Sequence, residues 1–475
     1  MVTAADVALQ TAGALMEAHR FAEAKQQLAR VLAERPRTAV AHRALAAIHR
    51  ALGDVAKALA SIARAIELNA EASSYFLLAQ ILEQAGALAE AATVYRLVAR
   101  LDPAQSDLST RLGVCEKNRS RSRPAPGMRP EAVAALLARA TSTVSACIIV
   151  KDEAAQLPRC LGSVRPWVDE IVVVDTGSRD ESVSVAEAHG ARVSRFEWND
   201  DFSAARNAAI ERATSEWVLS IDADEELLVT DPEAFRRSLR NREPAAYALT
   251  LANVGPAGAE EDATSVLRLF RRRPELRYEG RLHESLAAGV RSLGWPAYDT
   301  TCIRFRHYGY QPELFSKRDK AGRNVRLAEL DVRDRPDDAY ARFNLFRAYV
   351  VAGKDAEAHS EHARIIELGF APALLAISKT TFVHFVQAQL VLHERSGDWE
   401  AVLQALDRGL DALPRFVPFL LRRGRVLARR GDTEGARRDF EACLTGGSHG
   451  LPLAPGEQDT LPQRELSLLR ARIEK

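Results

Sequence analysis

Residues 143 to 221 constrain the fold more than any other stretch. Short apolar runs at 143–150, 170–175 and 217–221, and a more polar strand at 191–196, alternate with helical spacing at 157–168, 182–189 and 202–213. Runs this short, with no polar alternation, read as strands covered on both faces. Strand–helix alternation at this spacing gives a parallel sheet with right-handed crossovers. Such sheets bind ligands beyond the carboxyl ends of their strands. Three of those ends carry acids: Asp152 and Glu153 after the first run, Asp175 closing the second, Asp222 and Asp224 after the fourth. Unrelated surface acids would not gather at those ends.

Asp222 and Asp224 stand two apart, so in extended chain both carboxylates point the same way. Paired like this, they suit a hard divalent cation that also binds a diphosphate. No Gly-x-Gly-x-x-Gly or Gly-x-x-x-x-Gly-Lys-Ser/Thr pattern follows the first run, so a nucleotide's diphosphate would need a metal. Asp222, Asp224, Glu226 and Glu233 fall at calcium-loop positions, but Leu227 stands where the loop needs its glycine and Pro232 follows, which excludes an EF-hand.

The chain of 475 residues is long enough for about three domains. A net charge of +1 argues against a dedicated nucleic-acid or membrane-surface protein. The five cysteines are far apart, without metal or redox spacing, and read as reduced thiols. The N-terminus has no basic start followed by an apolar run, and no apolar stretch reaches the ~20 residues that span a bilayer. A cytoplasmic location is the expectation.

The first hundred residues repeat. His19–Ala24, Gly53–Ala58 and Gly86–Ala91 align at offsets of 34 and 33, as do Ala12, Ala46 and Ala79, and Pro36, Ala70 and Pro103. Small residues at fixed positions let paired helices approach closely. This resembles tetratricopeptide repeats. Residues 119–130, rich in Arg, Ser and Pro, read as a tether.

Four ordered motifs carry a second resemblance: Ile149–Glu153, Val174–Asp180, Trp198–Asn207 and Asp222–Glu225. Together they resemble glycosyltransferase family 2, in particular its bacterial branch with fused tetratricopeptide repeats, which includes lipopolysaccharide-core and peptide S-glycosyltransferases. Asp152 departs from the branch, which more often has Asn there. The resemblance implies an α/β GT-A fold and inverting transfer from a nucleotide-sugar, with Mg or Mn as cofactor. Carried over by motif, Glu153 and Asp175 hold base and ribose. Arg206 reaches the base or phosphates, with Asn207 supporting the loop. Asp222 meets ribose or metal, and Asp224 ligates the metal. Asp200 and Asp201 read as helix caps.

Further on, 246–253 and 266–270 read as strands joined by a polar loop at 254–264. Tyr278–Glu284 resembles the family's acceptor-side motif. An inverting transferase needs one base, and Glu284 is the candidate, with Glu279 and the Asp222–Glu226 cluster as fallbacks. His307, in Phe305–Tyr310, fits the late metal-binding histidine of many GT-A enzymes. Arginines 268, 271, 272, 273, 277 and 281 read mostly as a solvated run. From Lys317 onward the pattern is helical again, and Gly397-Asp398 and Gly431-Asp432 recur 34 apart. His359 and His362 read as surface residues.

The expected division is repeats at 1–118, a linker at 119–141, the catalytic domain at 142–315 and a C-terminal helical repeat region at 316–475. The expected activity is transfer of a sugar to a glycan, a lipid-linked acceptor or a peptide, within cell-envelope glycan synthesis. The repeats would recruit a protein partner or mediate self-association. Two other classes fit less well: a sugar nucleotidyltransferase, which usually has a Gly-rich loop after its first strand, and a repeat scaffold with a vestigial central domain.

Overall fold

The computed structural model describes residues 3–473 apart from 124–128, 256–257, 310–316, 378, 450, 452 and 454–455. Chain contacts divide it into two bodies. The first comprises Met1–Trp198, Ala205–Tyr278 and Ser285–Tyr310; the second comprises Asn199–Ala204, Glu279–Glu284 and Gln311–Lys475.

The first body holds one eight-stranded sheet: β1 Val144–Val150, β2 Glu170–Asp175, β3 Arg192–Arg195, β4 Trp217–Ser220, β5 Glu225–Val229, β6 Ala246–Val254, β7 Glu260–Arg271 and β8 Ala297–His307. Their order across the sheet is β3-β2-β1-β4-β7-β6-β8-β5. The four strands read from this alternation are parallel, as expected. The sheet as a whole is mixed, because β7 joins β4 antiparallel and carries β6, β8 and β5 beyond it. Both faces of β1, β2 and β4 are covered, while β3 is a more exposed edge strand. Ile171 and Val173 pack into one apolar layer with Ile148, Leu219 and Phe235, while Val172 and Val174 pack into the other with Cys147, Ile210 and Phe270. That two-sided burial is why these strands read as unbroken apolar runs.

The structure departs from the sequence reading where pairing, not side-chain pattern, makes the element. The expected polar loop at 254–264 is mostly strand, because β7 begins at Glu260 and its polar residues pair through backbone with β6. The acids at Glu225 and Glu226 open β5, which pairs with the end of β8. The expected helix at 157–168 stops at Val164 and becomes a short 3-10 turn, Arg165–Trp167, where Pro166 has no N–H to continue it. Asp231 caps the helix Pro232–Arg240, accepting from Glu233 N and Ala234 N, so Glu233 belongs to a helix start.

The N-terminal repeats form three helix pairs and a seventh helix, from Ala4–Glu17 to Leu108–Lys117. The equivalent turn positions His19, Gly53 and Gly86 all adopt left-handed backbone, with φ of 58°, 76° and 77°. The aligned alanines Ala12, Ala46 and Ala79 are all buried. The linker expected at 119–141 is partly structured: a 3-10 turn spans Arg119–Arg121, and helix Pro130–Ala138 buries Val133 and Leu136 against the repeats, while residues 124–128 lie outside the described residues. The repeats also bond to the sheet domain. Arg242 N donates to Leu68 O at 2.5 Å, Ala70 N to Arg240 O at 3.3 Å, and Asn69 bridges Asn241.

The C-terminal part of the second body is helical from Lys317–Asp334 to Thr460–Ile473. The expected boundary at 315/316 falls outside the described residues. Its two Gly-Asp turns share one device: Gly397 and Gly431 are left-handed, and Asp398 and Asp432 cap the next helices by accepting from Ala401 N and Gly435 N. Asp54 does the same for Lys57 N after Gly53.

Candidate active site

The parallel strands deliver their acids to one edge. Asp175 ends β2, is 3% exposed, and accepts from Ser178 N at 2.9 Å, so it also holds its own turn. The loops after β1 and β2 are stitched together. Asp152 N donates to Ser178 Oγ and Arg179 N to Asp152 Oδ1, at 3.0 and 2.7 Å; Glu153 N donates to Ser182 Oγ at 2.8 Å. Asp152, the departure from the family pattern, thus ties the two loops.

Beyond β4, Asp222 lies between two guanidinium groups. Arg206 Nη1 is 2.7 Å from Oδ1 and Arg268 Nη2 is 3.0 Å from Oδ2. Arg206 reaches there because helix Phe202–Arg212 lays Ala205 and Ala209 against the protein interior, which turns the guanidinium inward to 6% exposure. Burial opposes ionisation of Asp222, but Arg206 and Arg268 outweigh it and hold the carboxyl well below the usual carboxylate range. Glu225, buried beneath, accepts from Asp222 N at 2.8 Å. Burial, with the Asp222 charge next, pushes Glu225 up to about 7.

The pairing of Glu225 with His307 sets the next contact, because it places Asp224 at the end of β8. Asp224 Oδ2 is 3.1 Å from His307 Nε2, and His307 Nδ1 is 2.8 Å from Asn253 Oδ1 on β6. The hydrogen bond to Asp224 is the main cause that raises the His307 pKa. Tyr308 N donates to Asp224 O at 3.0 Å, and Tyr308 OH to Glu226 Oε2 at 2.6 Å. A Cβ on Gly309 would lie 2.5 Å from His307 Nε2 and 3.0 Å from Asp224 Oδ2, so glycine keeps the space beside the pair open.

These residues fit a divalent cation. With Nδ1–H donated to Asn253, a neutral His307 would offer its Nε2 lone pair to a cation shared with Asp224. The 3.1 Å between Nε2 and Oδ2 matches neighbouring ligands of an octahedral ion at about 2.1 Å, whose edge is about 3 Å. Among the described residues no group of three or more His, Cys, Asp and Glu is arranged to hold a metal. The Asp224–His307 pair would therefore leave most positions on the ion to ligand oxygens, as Mg²⁺ prefers. Asp222, also expected at a metal, has both oxygens engaged by arginines.

Arg206, Asp222, Asp224 and His307 thus converge, with Glu153 and Asp175 on neighbouring strand ends. Glu284 and Glu279 lie on the segment that groups with the C-terminal helices. Asp201 caps its helix through Ala204 N, as expected; Asp200 instead pairs with Arg326. Tyr310 lies outside the described residues. Arg268 was missed as an individual, since nothing in an arginine run marks the one that turns inward. Arg271 is buried too, with Glu216 at 2.7 Å and the Trp217 ring at 3.9 Å. His359 and His362 share contacts with His393, which belongs to a helix far along the sequence.

Comparison with known proteins shows what two regions of the chain are similar to. Residues 145–283 match the model of glycosyl transferase family 2, and residues 9–73 and 48–106 match a tetratricopeptide repeat model. A TPR repeat-containing protein of Synechococcus elongatus is 40% identical over 211 residues, 43% of this chain and 51% of that protein. The glycosyltransferase SunS of Bacillus subtilis is 29% identical over 220 residues, 46% of this chain and 52% of that protein. The chain thus spans about half the length of these curated relatives. Among solved structures, S. aureus TarS 1–349 aligns over 55% of this chain and 89% of that one, at 14% identity and a TM-score of 0.32. Among the described residues no helix is long and apolar enough to cross a membrane.

Proposed function

We propose that this protein is an inverting, metal-dependent glycosyltransferase that moves a sugar from a nucleotide-diphosphate donor to a glycan, lipid-linked or peptide acceptor. The observation that supports it most is the Asp224–His307 pair, open beside Gly309 and next to the Arg206–Asp222–Arg268 cluster. Asp175 and Glu153 hold the nucleoside. Asp222 keeps the two arginines aimed, and it acts there rather than on the metal. Arg206, itself buried, presents positive charge where the leaving diphosphate gathers negative charge. Asp224 and His307 hold Mg²⁺ or Mn²⁺, which when bound neutralises the same diphosphate. Glu284 takes the proton from the acceptor nucleophile as that atom attacks the anomeric carbon opposite the diphosphate, so configuration inverts.

In this reading the protein works in the cytoplasm on cell-envelope glycans, without nucleic acid. The repeats recruit the acceptor, a partner or a second copy. A screen of nucleotide-sugars for hydrolysis, with Mg²⁺, Mn²⁺ or EDTA, tests the reading. Release of nucleoside diphosphate from one donor with metal alone supports it. Nucleoside triphosphate consumption with a sugar phosphate, and no donor hydrolysis, would favour a nucleotidyltransferase.

A further inference from the structure

Helix Leu157–Val164 follows the loop that bears Glu153. It buries Leu157, Cys160, Leu161 and Val164 as one stripe against the sheet. From that stripe Cys160 reaches the acid loop, where its thiol donates to Asp222 O at 3.3 Å. Arg159, one residue earlier, falls off the stripe and is exposed. Its guanidinium lies over the ring of Tyr308, 4.0 Å from the centroid. Tyr308 is pinned at both ends: its N–H donates to Asp224 O at 3.0 Å and its hydroxyl to Glu226 Oε2 at 2.6 Å. All of these groups belong to the first body.

A guanidinium laid on a held aromatic ring gives up freedom before any ligand arrives, and its planar N–H edge stays available. The arginines nearby on β8 are spent: Arg304 and Arg306 share Glu260, with Arg306 Nε at 2.9 Å. Among the described residues the Arg159 guanidinium has no hydrogen-bond or ion-pair partner, although Glu226 meets the same tyrosine. Glu226 in turn uses Oε2 on that hydroxyl, and its Oε1 has no hydrogen-bond partner among the described residues. A positioned cation and an unused carboxylate oxygen therefore flank one ring.

The acid loop is engaged from two sides. Asp222 gives its carboxylate to Arg206 and Arg268, and its carbonyl to Cys160. The donor's diphosphate already has its cations on the carboxylate side, so Arg159, beside Cys160, is surplus to it. We infer that Arg159, Tyr308 and Glu226 form an acceptor subsite for an acidic sugar. The guanidinium grips a phosphate or carboxylate group at two points, and Glu226 Oε1 accepts from a ring hydroxyl. An acidic peptide side chain would satisfy the cation and leave Glu226 unmet, which favours the sugar. The subsite adjoins the metal pair, since Tyr308 follows His307 in the chain and bonds to Asp224. That this sugar is the acceptor rests on the function proposed above.

Ligand-observed NMR titration of the full chain, in EDTA and without nucleotide, tests the subsite. The probes are glucose 6-phosphate, glucuronate, glucose, inorganic phosphate and the peptide Gly-Asp-Gly. Wild type is expected to bind glucose 6-phosphate, glucuronate or both about tenfold more tightly than the other three. Arg159→Met, which keeps the aliphatic stem on the ring, should erase the preference over glucose, and Arg159→Lys, which keeps the charge without the fork, should retain part of it. Glu226→Ala should erase the preference over inorganic phosphate. Equal affinity for charged and neutral sugars, or a preference that survives Arg159→Met, would overturn the subsite. Inorganic phosphate or the peptide binding as tightly as the acidic sugars would overturn the choice of a sugar. UDP affinity in Mn²⁺, by calorimetry, should be the same in Arg159→Met as in wild type; a loss of about tenfold would put Arg159 on the donor's diphosphate and overturn the acceptor assignment. If wild-type protein bound no nucleoside diphosphate, the proposed function would fail on its own, and the sugar titration would still decide the subsite.

Discussion

Asp222 shows what one carboxylate does when two buried arginines share it. Removing its charge leaves Arg206 and Arg268 with only Glu225, 3.7 Å from Arg268, to offset them, and breaking a buried pair from one side is costly. Asp222→Asn is therefore expected to lower stability by about 2–4 kcal/mol, read as a shifted denaturation midpoint, and to abolish transfer. Asp224→Asn differs, because the partner of Asp224 is a histidine, which can go neutral. It should leave the midpoint within about 0.5 kcal/mol while removing metal-dependent nucleotide binding. A midpoint for Asp224→Asn as low as for Asp222→Asn would make the two acids equivalent, against the geometry. Asp175, Arg206, Asp222 and Asp224 could be named from sequence because they close strand ends or sit in ordered motifs. Arg268 and Asn253 could not. Each is one polar residue in a strand whose partner was unknown, and only the pairing of β6, β7 and β8 turns them toward the acids.

At the scale of elements, the parallel strands were legible because burial on two faces writes itself into sequence. Of the antiparallel extension, 246–253 and 266–270 were legible as strands; β5, β8 and the polar start of β7 were not, because they owe their form to ladder bonds. The Gly-Asp turns were legible as a period. Their mechanism makes a prediction, because His19 occupies the left-handed position that Gly53 and Gly86 fill in the next two repeats. A side chain there costs roughly 1–2 kcal/mol, and glycine returns part of that as added freedom when unfolded. His19→Gly should stabilise the protein by about 0.5 kcal/mol, seen as a higher thermal midpoint. A lower midpoint would mean that the edge-on ring contact of His19 with Phe21, at 5.6 Å, outweighs the backbone term.

At the scale of the whole molecule, the histidines of the C-terminal helices link stability to pH. His362 stacks on Phe346 and lies near His393, Gln389 and Arg408. Burial, then His393 and Arg408, pushes its pKa down to about 4. The unfolded chain, near 6.5, binds the proton more readily. Stability from this group is therefore complete above about pH 6.5 and is lost as pH falls toward 4, by about 2–3 kcal/mol in all. Denaturation of His362→Gln should show a shallower decline between pH 7 and 5 than wild type; equal declines would remove His362 from the account. The repeats were legible as a period, yet their seam with the sheet domain at Leu68–Ala70 and Arg240–Arg242 was not, since no sequence pattern marks which two turns will meet. The central claim is that Asp224 and His307 hold a divalent cation for a nucleoside diphosphate. Calorimetric titration of UDP and GDP into wild type, Asp224→Asn and His307→Ala, with Mn²⁺ and with EDTA, tests it most directly. Binding by wild type in Mn²⁺ only, lost at least tenfold in both variants at unchanged stability, is the predicted result. Equal binding with EDTA, or full binding by either variant, would contradict it.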